Sequence, residues 1–286
     1  MSYAVVYNPR SGKKKKLDLK SFFKEKFIGS DFELFIWDQY QSFEEIEKKI
    51  QEKNFNVIVA AGGDGTVNKV ASFAMENDHT LGIVPLGSGN GLARSLKIEL
   101  DIDTAVEKIK KGKVDLIDSG KINEQIFFCT AGVGFDAHIS KLFASTKKRG
   151  FWTYFKITAK ELLSYQTNTY EVKTDESTKH TDAFLITACN AGQWGNDIYI
   201  APEASMKDGV LNLVVVKKFP WYTVPFLAYK LLTGKIQESK YVCTLSSKSI
   251  TIKSNNFFPS HYDGEPGRLN NEVNFRIGEK KLKVIC

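Results

Sequence analysis

The stretch VIVAAGGDGTVNKV, residues 57–70, decides how the chain begins to fold. Val57 to Ala61 are apolar or small without alternation, the pattern of a strand buried on both faces. The run ends in Gly62, Gly63 and Gly65 around a single acid, Asp64. Apolar residues return at Val67, Val70, Ala71 and Ala74, the spacing of a helix. A buried strand, a glycine turn and a helix are the first parts of a βαβ unit.

The same alternation extends on either side. Ala4 to Tyr7 reads as a short buried strand, and Leu19, Phe22, Phe23 and Phe27 mark a helix face. Phe32 to Trp37 reads as a second strand. Ser42 with Glu45 forms a capping box for a helix lined by Phe43, Ile46 and Ile50. Leu81 to Val84 is a further strand, followed by a helix over 90–96. Thr104 with Glu107 is read as the cap of a helix that ends at Gly112, and Val114 to Ile117 closes the pattern. Repeated strand and helix units predict an α/β domain: a parallel sheet covered on both faces, three layers in all.

After residue 119 the period shortens. Strands are predicted near 126–129, 169–174, 183–189, 210–216, 241–245, 249–253 and 273–277, interrupted by two helical stretches, 151–164 and 220–233. This predicts a second, mainly antiparallel β-sandwich domain. The expected division is 1–119 and 120–279. No low-complexity linker separates the two, which predicts a tight boundary with a cleft.

The 286 residues carry a formal net charge of +7, which favours anionic partners: nucleotides, acidic lipid surfaces or nucleic acid. Charge does not choose among them, but no nucleic-acid module is recognisable, so nucleic acid is not expected. Cys129, Cys189, Cys243 and Cys286 are far apart and read as free thiols, three of them in strand-like runs. His79, His138, His180 and His261 are scattered, with no zinc-type spacing. His261 lies close to Glu265 in sequence and reads as a surface or packing residue. The N-terminal apolar run is short and precedes the basic cluster, the wrong order for a signal peptide. No stretch approaches the roughly 18 apolar residues of a spanning helix. The expected location is the cytoplasm.

In an open parallel sheet, ligands bind beyond the carboxyl ends of the strands. Three motifs fall there: Asn8-Pro9-Arg10-Ser11-Gly12, Gly62-Gly63-Asp64-Gly65-Thr66 and Pro85-Leu86-Gly87-Ser88-Gly89-Asn90. Glycines let a ligand approach the backbone, and successive amides with a following helix N-terminus suit phosphate. The set is neither a P-loop nor a dinucleotide fingerprint. A carboxylate inside a phosphate cradle suits a Mg²⁺ ligand or a group orienting an attacking hydroxyl. The plain alternative is that Asp64 caps its own helix through the Thr66 or Val67 amide.

These motifs resemble those of the diacylglycerol kinase catalytic-domain family, which includes bacterial soluble lipid kinases and sphingosine kinases. The matching pieces are NPRSG (8–12), GGDGTVNKV (62–70), PLGSGNGLAR (85–94), FFCTAGVGFDA (127–137), APEASMKDG (201–209) and DGE (263–265). They span nearly the whole chain. The resemblance implies phosphoryl transfer from ATP to a lipid hydroxyl with Mg²⁺. It puts Asn8, Gly62, Gly63, Gly65, Thr66, Gly87, Ser88 and Asn90 at the ATP, with Ser11 and Gly89 in the same motifs. Asp64 matches the family's essential acid. Asp263-Gly264-Glu265 matches a motif that closes over the site, with Glu265 the preferred general base. The plain reading of Asp263-Gly264 is a hairpin turn. Ala204, Met206 and Asp208 lie where some bacterial members hold a structural Mg²⁺, although Asp208-Gly209 also reads as a turn. Asp136 is well placed in GVGFDA, although it also reads as a loop residue. The resemblance also returns segment 280–286 to the first domain and allows a homodimer.

Many bacterial diacylglycerol kinases have Asp where this chain has Gly91. PLGSGNGLA is closer to the sphingosine kinase version, so diacylglycerol and a sphingoid base both stand as acceptors. An NAD kinase, which shares GGDGT, and a non-catalytic nucleotide-dependent membrane-binding protein are the remaining alternatives. Trp221, Tyr222, Phe226 and Tyr229, with Lys217, Lys218 and Lys230 nearby, suit transient contact with a membrane surface during catalysis. Lys147, Lys148 and Arg149 beside Phe151, Trp152 and Tyr154 give a second candidate contact. The plain reading of 219–235 is a core helix.

Overall fold

The computed structural model describes residues 1–11, 18–38, 40–146, 150–162, 164–196 and 198–286. The chain divides into two compact units, Met1–Ile117 with Lys280–Cys286, and Asp118–Glu279. No helix among the described residues is long and apolar enough to cross a membrane.

In the first unit β1 (Ser2–Tyr7), α1 (Leu19–Lys26), β2 (Asp31–Ile36), α2 (Phe43–Lys53), β3 (Val57–Gly62), α3 (Asp64–Glu76), β4 (Thr80–Pro85), α4 (Gly91–Ser95), α5 (Ile102–Lys111) and β5 (Val114–Ile117) follow in order. β1 pairs parallel with β2 and β3, and β3 pairs parallel with β4. Side chains alternate across a strand. Tyr3, Val5, Val57 and Val59 therefore meet Phe23 and Phe27 on the α1 side and Val106 and Ile109 of α5. On α2 and α3, Phe43 and Phe73 meet edge to face with centroids 6.2 Å apart.

Two local expectations change. The cap of α5 is Asp101, which accepts from the Thr104 N–H and hydroxyl at 3.0 Å, so the helix starts at Ile102 and Thr104 lies inside its first turn. Val114–Ile117 does not close a parallel series. The chain's last strand, Leu282–Ile285, lies between β4 and β5, parallel to the first and antiparallel to the second.

The second unit contains β6 (Gly120–Ile122), β7 (Gln125–Phe127), β8 (Thr130–Gly134), α6 (Phe135–Ser145), α7 (Phe151–Glu161), β9 (Asn168–Thr174), β10 (Thr178–Cys189), β11 (Gln193–Gly195), β12 (Ile198–Tyr199), β13 (Leu211–Lys217), α8 (Val224–Leu232), β14 (Val242–Ser247), β15 (Ser249–Tyr262) and β16 (Glu265–Ile277). The long strands β10 and β15 each pair with β9 through their first half and with β8 through their second. The antiparallel sheet thus doubles over into a sandwich around Tyr170, Ile186, Leu213, Ile250, Phe258 and Phe275. A second apolar layer, outside the sandwich core, joins Phe135 and Ile139 of α6, Ile157 of α7 and Leu227 of α8 to Phe184, Val214 and Val216.

Helix α6 is absent from the periodicity reading. It begins directly after β8 with no intervening loop, because Gly134 takes φ +99°, a conformation open to glycine. The short, small-residue run TAGVGFDA hides that switch.

Candidate active site

Tyr7 is opposite Ala61, Ala61 opposite Val84, and Gly62 opposite Pro85. The turns after β1, β3 and β4 therefore leave from one edge of the first unit's sheet. The Asn8 N–H donates to the Ala61 carbonyl at 3.0 Å. Its side-chain Nδ2 donates to Thr66 Oγ1 at 3.0 Å, and its Oδ1 accepts from the Arg10 N–H at 3.0 Å. The Ser11 N–H closes the turn on the Asn8 carbonyl at 3.1 Å. Gly12 lies outside the described residues.

The glycines are set by how closely these turns approach. A Cβ on Gly87 would lie 2.7 Å from Gly63 Cα and 2.8 Å from Asn90 Oδ1, closer than any side-chain carbon can sit. Gly62 ends β3 against the Thr66 side chain, Gly63 caps α3, and Gly65 and Thr66 form the first turn of α3. Gly89 lies against the Asp64 carboxylate, and Ser88 is exposed at the tip of its turn.

Asp64 does not cap its own helix. Its Oδ2 accepts from the Asn90 N–H at 3.0 Å and its Oδ1 from the Gly91 N–H at 2.6 Å. It therefore caps α4 and ties the β3 turn to the β4 turn. This corrects the picture of α4 as a phosphate-binding N-terminus, because two of its first amides are held by Asp64. The N-terminus of α3 has no side-chain cap, and there the amides and the helix dipole suit an anion.

Asn90 sits at φ 51° with its Nδ2 on the Gly87 carbonyl at 2.9 Å. Its buried Oδ1 has no donor among the described residues. An unsatisfied buried oxygen beside a carboxylate fits a hard cation, and Mg²⁺ is usually held by one or two carboxylates together with substrate phosphates. Asp64 and Asn90 are the residues that would hold it.

In the second unit, Asp263 and Gly264 are the two residues of the β15–β16 hairpin turn, at φ 46° and 83°. Both values are positive, as a two-residue turn of this kind requires. The Asp263 carboxylate accepts from three successive amides: Phe128 at 2.8 Å, Cys129 at 2.8 Å and Thr130 at 3.0 Å. Its own N–H donates to the Thr130 carbonyl at 2.8 Å. Asp263 is thus a latch that fixes the hairpin to the start of β8 and holds Glu265 two residues on. Glu265, two residues on, is exposed at the start of β16. Burial, with the carboxylates of Glu265 and Asp263 close by, pushes the Tyr262 hydroxyl above its ordinary pKa.

A second carboxylate anchors the same strand end. Thr187, Gly132 and His261 form a row across β10, β8 and β15. Asp136, in the first turn of α6, lies over Gly132. Its Oδ2 takes the Thr187 hydroxyl at 2.5 Å and His261 Nε2 at 2.9 Å. A Cβ at Gly132 would fall 2.6 Å from that oxygen. His261 is 3% exposed and its Nδ1 has no partner among the described residues, so it is a core histidine bound to an acid rather than a surface group. Tyr170 is pushed up to about 12 by burial, with Asp136 adding to the shift, and burial with Asp136 raises the Cys189 thiol as well.

The remaining predicted metal residues, Met206 and Asp208, lie in the loop before β13, which is tied to Asp118. The Met206 carbonyl accepts from the Asp118 N–H at 2.6 Å, and Asp208 Oδ1 accepts from the Val210 N–H at 3.2 Å. Gly209 donates to Asp118 Oδ2 at 2.8 Å and has φ +72°. The Met206 carbonyl is thus held by a distant backbone amide, and the Asp208 carboxylate by the amide two residues on. No group of three or more His, Cys, Asp or Glu suited to a metal occurs among the described residues.

Residues 2–122 match the diacylglycerol kinase catalytic domain, and residues 129–286 match the YegS C-terminal NAD kinase beta sandwich-like domain. The chain belongs to the diacylglycerol kinase catalytic-domain family and is a kinase. It is 26% identical over 269 residues to a diacylglycerol kinase of Staphylococcus saprophyticus, covering 92% of this chain and 88% of that protein. A crystal structure of a diacylglycerol kinase from Bacillus anthracis shares the fold with a TM-score of 0.73 at 20% identity, covering 99% of this chain and 96% of that one. An NAD kinase from Archaeoglobus fulgidus in complex with ATP shares it with a TM-score of 0.57 at 13% identity, covering 100% and 94%.

Proposed function

We propose that the protein transfers the γ-phosphoryl group of ATP to a lipid hydroxyl, with diacylglycerol as the leading acceptor. The observation that carries this reading is Asp64 binding the β3 and β4 turns into one cradle, in a chain of this family. The first-turn amides of α3 and the backbone of residues 87–89 bind the ATP phosphates. The Asn8–Thr66 bond holds the β1 turn in place beside them. Mg²⁺, held by Asp64 and Asn90, would neutralise charge on the phosphates. The lipid oxygen attacks the γ-phosphorus in line, the bond from that phosphorus to the bridging oxygen breaks, and ADP leaves. The hydroxyl proton goes to the Glu265 carboxylate. Asp263 positions Glu265 by fixing the hairpin.

A sphingoid base is the second acceptor, supported by the resemblance of PLGSGNGLA, residues 85–93, to the sphingosine kinase version. The test is Glu265→Gln measured for both ATP affinity and turnover on a diacylglycerol and sphingosine panel. A general base is worth roughly 10²–10⁴-fold in rate. Turnover falls in that range while ATP affinity changes little. Full turnover in Glu265→Gln overturns the assignment.

A further inference from the structure

Helix α8 and the 3-10 turn before it are apolar on two sides. Leu227 and Leu231 face inward onto Phe184, Val214 and Val216. On the other side Trp221 is 73% exposed, and Tyr222, Phe226, Tyr229 and Leu232 are exposed at helical spacing. Scattered exposed apolar residues are ordinary, but a strip of large side chains along one element marks an interaction surface. The segment therefore does not read as a core helix: its inward face is already packed, and its aromatic face is in solvent.

The strip has a charged frame. Lys217 and Lys218 precede it, Lys235 and Lys240 follow it, and all four are exposed. Lys230 is engaged with Glu238 at 3.4 Å and lies over the Phe226 ring, and Glu238 is the one acid between positions 217 and 240. Tyr and Trp place an apolar body and a polar tip at a membrane interface, and lysines can reach past them to headgroups. A second copy of this chain fits poorly, because a two-fold contact would bring the same basic patch onto itself. We propose that the outward face of Trp221–Leu232 docks on an anionic phospholipid bilayer. The proposal does not depend on the kinase reading, since binding is measured without nucleotide.

The test is co-sedimentation with phosphatidylcholine vesicles and with phosphatidylcholine–phosphatidylglycerol vesicles. The wild type sediments more strongly with the phosphatidylglycerol vesicles. Each lysine near an anionic surface is worth about fivefold in binding, so Lys217→Gln with Lys218→Gln weakens binding to those vesicles roughly 25-fold and leaves the neutral vesicles nearly unchanged. Trp221→Ser, Phe226→Ser and Tyr229→Ser together weaken binding at least tenfold. Brominated lipid quenches the wild-type fluorescence and fails to do so in Trp221→Phe, a readout that needs no destabilising change. Equal binding to both vesicle types, equal quenching in Trp221→Phe, or a dimer dissolved by the triple substitution with vesicle binding intact overturns the proposal.

Discussion

Replacing Asp263 with Asn isolates the latch from the hairpin backbone, because Asn tolerates the left-handed φ of 46° that Asp263 holds. The carboxylate serves three amides of Phe128, Cys129 and Thr130, residues that are themselves buried. The Asn oxygen can keep the two amides now on Oδ1, as neutral rather than charge-assisted bonds. The Asn NH₂ then faces the Phe128 N–H, and one buried donor is left unpaired. An unsatisfied buried amide costs about 1–3 kcal/mol, and charge-assisted bonds are roughly twice as strong as neutral ones. The sum is on the order of 3–5 kcal/mol. For a unit of this size each kcal/mol lowers Tm by about 2–4 °C, so calorimetry on Asp263→Asn should show a drop of roughly 6–20 °C. A Tm within about 1 °C of wild type, with activity lost, would refute the latch and return Asp263 to the chemistry.

Gly132→Ala puts a Cβ 2.6 Å from Asp136 Oδ2 and 2.8 Å from the Ile186 carbonyl, and overpacking of that kind should cost about 1–3 kcal/mol in thermal unfolding; an unchanged Tm contradicts the row Thr187–Gly132–His261. Cys189 is fully buried with its thiol pKa raised by burial and by Asp136, so at pH 8 iodoacetamide should modify the half-buried Cys243 and Cys286 and spare Cys189, read by peptide mass; equal labelling in folded protein contradicts it. Tyr170 is raised to about 12 and Tyr165 is raised too, chiefly by burial. The unfolded state releases these protons near pH 10 and the folded state does not, so this stability is present below about pH 10 and is lost as pH rises toward 12. Absorbance at 295 nm and circular dichroism should change together in that window, and tyrosines titrating near pH 10 in an intact fold would contradict it.

The α/β class of the first unit was legible from local pattern alone, because a buried parallel strand running into a glycine turn and a helix face leaves its mark within 57–70. The antiparallel character of the second unit was legible from strand-length runs and turns. Contacts between distant parts of the chain were not. Asp64 meets amides 26 and 27 positions away, Asp263 meets amides 133 to 135 away, and His261 meets Asp136 across 125. No periodicity records such pairs, so Asp64 read as a possible cap of its own helix and His261 as a surface or packing residue. Leu282–Ile285 alternates weakly because its place is set by β4 and β5, which precede it by far in sequence. Helix α6 was hidden by the abrupt turn at Gly134. The aromatic residues of 221–232 were visible, but only the structure distinguishes their inward from their outward face. The basic run Lys147, Lys148 and Arg149 lies outside the described residues.

The central claim is transfer of the terminal phosphoryl group of ATP to a lipid. The most direct measurement incubates the protein and Mg²⁺ with diacylglycerol and sphingosine micelles, in parallel with NAD, using ATP labelled at either the γ or the α phosphate. The account predicts that the γ label moves into the organic extract, the α label does not, and Asp64→Asn abolishes the transfer. Label appearing in NADP, or remaining in water-soluble products with every lipid while ATP is still bound, would contradict it.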